Sequence, residues 1–171
     1  ADDDTFHVAS GGSVGGFIDG GASADDGTAP VDTIDYSTFG SAVTVDLGLA
    51  TATAVPAFLG IDAFAGSGTG DGNPANELKG PGETGDSIAW SIDGANAGEV
   101  QGVRFSRFAK ATGRDGVSDA FYFTTIGSFS GRFDGGAGID VPKEAPEVGF
   151  DHVEGADGFA VSTGGGNYVA F

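Results

Sequence analysis

Glycine and aspartate recur in this chain in an order that suits calcium chemistry. A calcium-binding nonapeptide, Gly-Gly-x-Gly-x-Asp-x-U-x with U a large apolar residue, places carboxylate and carbonyl oxygens at turns between stacked strands. The stretch 135–140 matches the first six positions, but Pro142 occupies the large apolar position. The stretch 20–23 matches only the opening of the pattern.

Four carboxylates are therefore the candidate calcium ligands: Asp19, Asp32, Asp134 and Asp140. Calcium is the one cofactor that the sequence suggests. A calcium ion takes about six to eight oxygen ligands, and two incomplete motifs do not form a continuous ion array. In the alternative interpretation, the same aspartates close turns by accepting hydrogen bonds from their own backbone. Both interpretations remain open from the sequence.

The composition limits the classes of partner. The chain has 171 residues, a formal net charge of -18 and only 7 Lys+Arg. Such a surface repels nucleic acid, so we expect no nucleic-acid partner. No apolar run reaches the roughly 20 residues that a membrane helix needs, and we expect no membrane insertion. With no Cys and high acidity, the composition is typical of a secreted or cell-surface prokaryotic protein.

The apolar pattern predicts short β-strands rather than helices. Apolar and polar residues alternate over 42–47, 88–92 and 120–124, which is the period of a strand. Gly-Gly, Asp-Gly and Ser-Gly pairs bound these stretches and indicate turns. The 14 Phe need a core to enter, and disordered acidic chains contain few aromatic residues. We therefore expect an all-β folded chain.

An internal repeat gives the stronger signal. The segment beginning at Asp4 aligns with the segment beginning at Asp119, at an offset of 115 residues (119 − 4). The stretch 19–22 then matches 134–137 without a break, and apolar residues replace each other at three further positions. Nested repeats of strand and glycine turn are typical of a solenoid. A β-sandwich is the alternative, since it is also built from short alternating strands.

The predicted architecture is a right-handed parallel β-helix, or β-solenoid, with Gly- and Asp-rich turns. We assign residues 1–171 to a single solenoid domain. Its repeat units span about 4–118 and 119–171, of which the second is incomplete.

Several strings in the chain are similar to a known class of long bacterial repeats. The strings lie at 13–22, 32–37, 42–47, 51–53, 76–80, 90–98 and 119–123. Together they resemble the RTX-like (hemolysin-type) long repeats of giant secreted adhesins and filamentous surface proteins. In that family, a rung with Trp-x-Ile-x-Gly-x-Asn-x-Gly alternates with one carrying Ile-Asp-Gly-Gly-Ala-Gly. The resemblance covers roughly 4–140 and implies a role in stalks, fibres or matrix.

The chain departs from that pattern in two places. Residues 23–31 are inserted before the pattern resumes at Asp32, and 141–146 replace an expected strand motif with a segment containing two prolines. Proline cannot donate to a strand ladder, so we expect a loop or bend there.

The sequence favours a structural or adhesive module and no enzyme. We expect self-association through strand edges exposed at both ends of the solenoid, where 4–8 resembles the start of a rung and 167–171 resembles an uncapped strand. A surface glycan or matrix component is a further candidate partner. A calcium module that folds on binding metal is the second hypothesis. A carbohydrate-active β-helix enzyme is the third, and it would need an open groove with a basic rim.

Overall fold

The computed structural model describes residues 3–21, 31–82, 87–115, 118–124 and 126–135, and the backbone of four later strands. Its described elements are strands and turns, with no helix among them. The strands are β1 Thr5–His7, β2 Ile18–Asp19, β3 Thr33–Asp35, β4 Thr44–Asp46, β5 Thr51–Ala52, β6 Phe58–Leu59, β7 Ala63–Ala65, β8 Glu77–Lys79, β9 Ser87–Gly94, β10 Ala97–Val100, β11 Val103–Ser106, β12 Lys110–Thr112, β13 Ser118–Phe123, β14 Arg132–Asp134, β15 Val141–Lys143, β16 Val153–Glu154, β17 Ala160–Ser162 and β18 Tyr168–Ala170. The prediction of an all-β fold is confirmed.

The strands form two large sheets and one small one. The first sheet has the order β1-β3-β7-β11-β10-β9-β13-β15, and the second has the order β16-β17-β18-β14-β12-β8-β4-β5. The small sheet pairs β2 with β6. Successive strands of the chain pass from one large sheet to the other, as β3 does to β4 and β7 to β8.

Both large sheets are mixed, so the predicted uniform parallel β-helix is not confirmed. In the first sheet, β10 runs antiparallel to both β9 and β11. In the second, β5 runs antiparallel to β4, and β17 to its two neighbours. Tight hairpin turns explain the two antiparallel pairs of β10, since adjacent strands joined by a two-residue loop reverse direction. The turn at 47–50 reverses the chain between β4 and β5.

The remaining pairs are parallel, and several of them join residues 28 to 33 positions apart, as 5 with 33 and 44 with 77. Thr5 pairs with Thr33 and Thr33 with Ala63. In the second sheet, Thr44 pairs with Glu77 and Glu77 with Lys110. We call each pass through both sheets a rung. Consecutive rungs therefore stack in register, and residues that precede their strands by one position lie side by side.

The core lies where the inward faces of the sheets meet. Middle residues of the short strands point inward, and they include Ile34 and Phe64 from the first sheet and Val45 and Leu78 from the second, all essentially buried. Where the sheets meet, Phe121 and Phe133 lie with ring centroids 4.6 Å apart. The alternation read from the sequence therefore corresponds to one buried and one outward face.

The aligned segments of the 115-residue repeat form the same turn. Gly12 donates its backbone N–H to the Ala9 carbonyl at 2.9 Å, and Gly127 donates to the Thr124 carbonyl at 3.0 Å. Each turn follows a strand of the first sheet, β1 or β13. The segments then diverge, because β2 joins the small sheet whereas β14 joins the second sheet.

Candidate functional site: the aspartate ladder and the edge of the first sheet

Three aspartates occupy equivalent positions on consecutive rungs. Asp4, Asp32 and Asp62 each stand immediately before a strand of the first sheet, ahead of β1, β3 and β7. Because those strands are parallel and in register, the three residues stack at one end of the strands. We call them the aspartate ladder.

Each step of the ladder joins a carboxylate to the backbone of the neighbouring rung. The Asp62 Oδ2 accepts a hydrogen bond from the backbone N–H of Asp32 at 3.0 Å. The Asp32 Oδ1 accepts one from the backbone N–H of Asp4 at 2.9 Å. These bonds satisfy N–H groups at the point where the strand pairing begins. Hydrogen bonds to a charged acceptor are about twice as strong as neutral ones, so the ladder fastens rung to rung.

The middle carboxylate of the ladder is enclosed by backbone. Asp32 is 2% exposed, and its carbonyl oxygen also accepts hydrogen bonds from the N–H groups of Asp62 and Ala63. A Cβ added to Gly20 would collide with the Gly60 carbonyl oxygen and with the Asp32 side chain. Gly20, which the sequence places in a calcium-type motif, is thus needed here for close packing between rungs.

The other predicted calcium ligands that the structure describes make different contacts from those of Asp32. Asp19 is exposed in β2, and its Oδ1 accepts a hydrogen bond from the Gly21 N–H at 2.9 Å, which closes a local turn. Asp134 ends β14 and forms an ion pair with Arg132 at 2.8 Å. Asp140 lies outside the described residues. The contact of Asp19 is the one that the turn-closing interpretation describes, whereas Asp32 accepts its hydrogen bond from the backbone of a neighbouring rung.

Within the described part of the chain, no group of three or more His, Cys, Asp or Glu side chains is placed to hold a metal ion. One carboxylate oxygen of Asp32 and one of Asp62 accept from backbone N–H groups, which compete with a cation for the lone pairs of those oxygens.

The outer edge of β1 carries backbone groups that no described strand pairs with. The Asp4 carbonyl accepts from Thr33 N–H and the Val8 N–H donates to the Asp35 carbonyl, so these residues face β3. Backbone direction alternates along a strand, and Thr5 and His7 therefore direct their N–H and C=O groups away from β3. Their side chains are exposed.

The buried side chain of Asn76 joins neighbouring rungs at a corner of the stack, the turn between β7 and β8. Asn76 is fully buried, and its amide donates to the carbonyls of Ser67 at 2.9 Å and Arg107 at 2.7 Å. Its Oδ1 accepts from the Val43 N–H at 3.0 Å and from the Ser67 hydroxyl at 2.8 Å. All four bonding positions of the side chain are used, and they join three successive rungs.

Asn96 makes a second such corner. It is 2% exposed and has a positive φ of 50°, a conformation that asparagine tolerates better than most residues. Its amide donates to the Asp71 carbonyl and the Ser130 hydroxyl, and its Oδ1 accepts from the Ser130 N–H at 2.7 Å.

A partly buried ion pair and the one tryptophan lie on the other side of the core. The Trp90 indole N–H donates to Asp119 Oδ1 at 2.8 Å, and the ring stacks on Phe121. The second Asp119 oxygen accepts from the backbone N–H of Arg114 at 3.0 Å. The Arg114 guanidinium in turn pairs with Asp46 and donates to the Gly80 carbonyl. This network links the end of β4 to β9 and β13.

The network borders a cleft of about 390 Å³ lined by Asp46, Glu77, Lys79, Thr112, Arg114 and Asp115. Asp46 is already paired with Arg114, and Glu77 accepts a hydrogen bond from the Thr112 hydroxyl at 2.9 Å. The lining contains three acidic and two basic residues, so its rim is not the basic rim that an enzyme acting on acidic sugars would need.

Burial also changes the pKa of one tyrosine. Tyr36 is fully buried, its hydroxyl donates to the Thr53 carbonyl at 2.8 Å, and desolvation raises its pKa above the usual range. Its hydroxyl therefore stays protonated and acts as a structural donor.

No family model matches the chain, and neither the curated proteins nor the solved structures contain a significant match. The resemblance to RTX-like repeats therefore stays a prediction. The described part of the chain also holds no helix that could cross a membrane.

Asp32 was a predicted ligand, whereas the ladder that it belongs to was not predicted. A signal was present, because an aspartate, a small residue and an apolar residue recur in that order at 4–6, 32–34, 62–64 and 119–121. Asn76 and Asn96 gave no comparable signal, since only the fold brings Val43, Arg107 and Ser130 to them.

Proposed function

We propose that this chain is a non-enzymatic extracellular structural or adhesive module that associates with further copies through the open edge of β1. The observation that carries the proposal is that edge, where Thr5 and His7 direct outward backbone groups that no described residue pairs with. An exposed strand edge is a template for another strand.

The use of the polar side chains supports a structural role. Asp32, Asn76, Asn96 and Asp119 are each at most 2% exposed, and all four bond to neighbouring rungs or to the core. A buried polar group that serves the scaffold in this way costs little once it is satisfied. The residues with the most chemistry to offer are thus committed to holding the stack together.

The parallel pairs support a solenoid-like stack as the unit of association. Rungs 28 to 33 residues long, read from the pairs 5 with 33 and 44 with 77, repeat the passage between the sheets. We infer that the antiparallel strand β10 is an insertion in this stack. A crossover between parallel strands is right-handed in about 98% of cases, and we expect that hand here. The RTX-like resemblance and the expectation of secretion belong to the same proposal.

Proline at position 5 tests the proposal. The Thr5 N–H points away from β3, so Thr5→Pro removes one outward donor and leaves the β1–β3 bonds in place. We expect wild-type chain to form concentration-dependent assemblies in sedimentation velocity and electron microscopy, and Thr5→Pro to lose them. Thr5→Val, which keeps both the N–H and the strand propensity, is the matched control and should assemble as wild type does.

Circular dichroism of each variant checks that the fold is kept. Wild-type chain that stays monomeric at all concentrations, both with calcium and with a chelator, would overturn the proposal. Assembly that requires calcium would instead favour a metal-coupled module.

A further inference from the structure

The direction of the strands restricts how two copies can meet. In the first sheet, β1, β3, β7 and β11 are parallel, and β9 is parallel to β11 because β10 is antiparallel to both. β13 and β15 are parallel to β9. The two outermost strands, β1 and β15, therefore run in the same direction. Placing one copy beyond another by translation would continue the sheet in parallel.

The aspartate ladder is incomplete at the same edge. Asp62 receives the N–H of Asp32, and Asp32 receives the N–H of Asp4. Asp4 is exposed, and its carboxylate has no hydrogen-bond partner among the described residues. It stands one position before β1, as its two counterparts stand before β3 and β7. The missing element is a backbone N–H one rung further out.

We propose that β1 accepts a parallel, in-register strand from a second copy of this chain, head to tail, and that Asp4 receives the backbone N–H that precedes that strand. This inference rests on the proposed function and adds the direction, the register and the fastening residue. Both observed ladder steps join parallel strands. The competing arrangement is antiparallel pairing of β1 with β1 of another copy, which gives a closed two-fold dimer rather than a continuing stack.

Three variants separate a hydrogen bond from a charge effect. Asp4→Ala removes the acceptor and should weaken association about ten-fold or more. Asp4→Asn removes the charge but keeps an acceptor oxygen, and it should assemble about as well as wild type. Asp71 is exposed in a loop remote from this ladder, and Asp71→Ala is the matched charge control, with assembly equal to or slightly stronger than wild type. If Asp4→Ala and Asp71→Ala behave alike, Asp4 is not a fastening residue.

Engineered cysteines report the direction of pairing, since the chain has no native Cys. In an antiparallel β1–β1 dimer, Thr5→Cys, His7→Cys or a mixture of the two would form a disulfide between copies, because facing residues lie within about 5.5 Å. Head-to-tail stacking brings no β1 against another β1, and we expect assemblies that do not cross-link. Efficient cross-linking would overturn the head-to-tail inference alone, whereas a wild-type chain that never associates would overturn the proposed function as well.

Discussion

At the scale of single residues, buried polar side chains do the work of joining rungs. Asn76 satisfies two carbonyls, one backbone N–H and one hydroxyl from different parts of the chain. Asp32 and Asp62 each receive a backbone N–H of the neighbouring rung. Very short strands offer few backbone hydrogen bonds each, and the side-chain bonds at the corners add to them.

Replacing Asn76 with alanine should therefore destabilise the fold severely. The change removes the partner of the Arg107 carbonyl and of the Val43 N–H, whereas the Ser67 carbonyl keeps the backbone N–H of Asn73. Each unsatisfied group costs about 1–3 kcal/mol. We expect Asn76→Ala to lower the free energy of unfolding by about 3 kcal/mol or more, measured by urea denaturation with Trp90 fluorescence.

Asn73 supplies the matched control for this prediction. Its Oδ1 accepts only the nearby Ala75 N–H, at 3.0 Å and at the surface. We expect Asn73→Ala to cost about 1 kcal/mol or less. Equal losses in the two variants would mean that Asn76 does not join the rungs.

The role of a residue could be predicted from the sequence where its partner lies close to it along the chain. Asp19 closes a turn with Gly21, which is one of the two interpretations that its type allows. The ladder depends on register between strands about 30 residues apart (33 with 63), and register is set by tertiary packing. Asn76 needs partners from three rungs, so no local pattern could identify it.

At the scale of elements, β10 is the strand that makes the first sheet mixed rather than parallel. It runs back between β9 and β11, and Gln101 and Gly102 join it to β11 with φ values of 49° and 82°. Two successive positive φ angles form the type I′ turn of a tight hairpin. Gly98, in the middle of β10, lies against the Ser91 carbonyl oxygen, which leaves no space for a Cβ.

A methyl group at Gly98 should accordingly weaken this hairpin. Gly98→Ala forces β9 and β10 apart, and overpacking of this kind costs about 1–3 kcal/mol. We expect a lower urea midpoint and a lower melting temperature than in wild type. Gly16→Ala is the control, since a Cβ there meets no atom within 4 Å. A Gly98→Ala variant as stable as Gly16→Ala would refute the close approach of β10 to β9.

The sequence predicted strands and turns well because alternation and glycine pairs are local signals. It predicted uniform parallel stacking because the repeat implies equivalent rungs. The sequence does contain a local signal for the hairpin, because the apolar Val100 and Val103 lie on either side of the two-residue turn Gln101-Gly102. A repeat of equivalent parallel rungs does not include such a hairpin, so the predicted stacking differs from the structure here.

At the scale of the whole molecule, charge opposes compactness. The net charge is -18, and the exposed Asp3, Asp4 and Asp19 lie in the part of the chain that forms β1 and β2. Self-repulsion of this size destabilises a folded chain and discourages association, and salt screens it with a Debye length of about 10 Å at 0.1 M.

Raising the ionic strength should therefore stabilise the fold and promote assembly. We expect the melting temperature to rise with sodium chloride. Calcium chloride at matched ionic strength should produce a similar rise, because the carboxylates of Asp19 and Asp32 are bonded to backbone. A markedly larger rise with calcium, reversed by a chelator, would show a specific site and favour the calcium interpretation.

The enclosure of Asn76 also affects how readily this residue undergoes deamidation. Asparagine decays when the N–H nitrogen of the next residue attacks its side-chain amide, and Asn is one of the heat-sensitive residue types. Here that nitrogen belongs to Glu77 and is bound to the Val43 carbonyl at 2.9 Å, while the amide itself is held by four bonds. The chain also has no Cys and no Met to oxidise. The corner that holds the rungs together is thus protected against slow chemical damage.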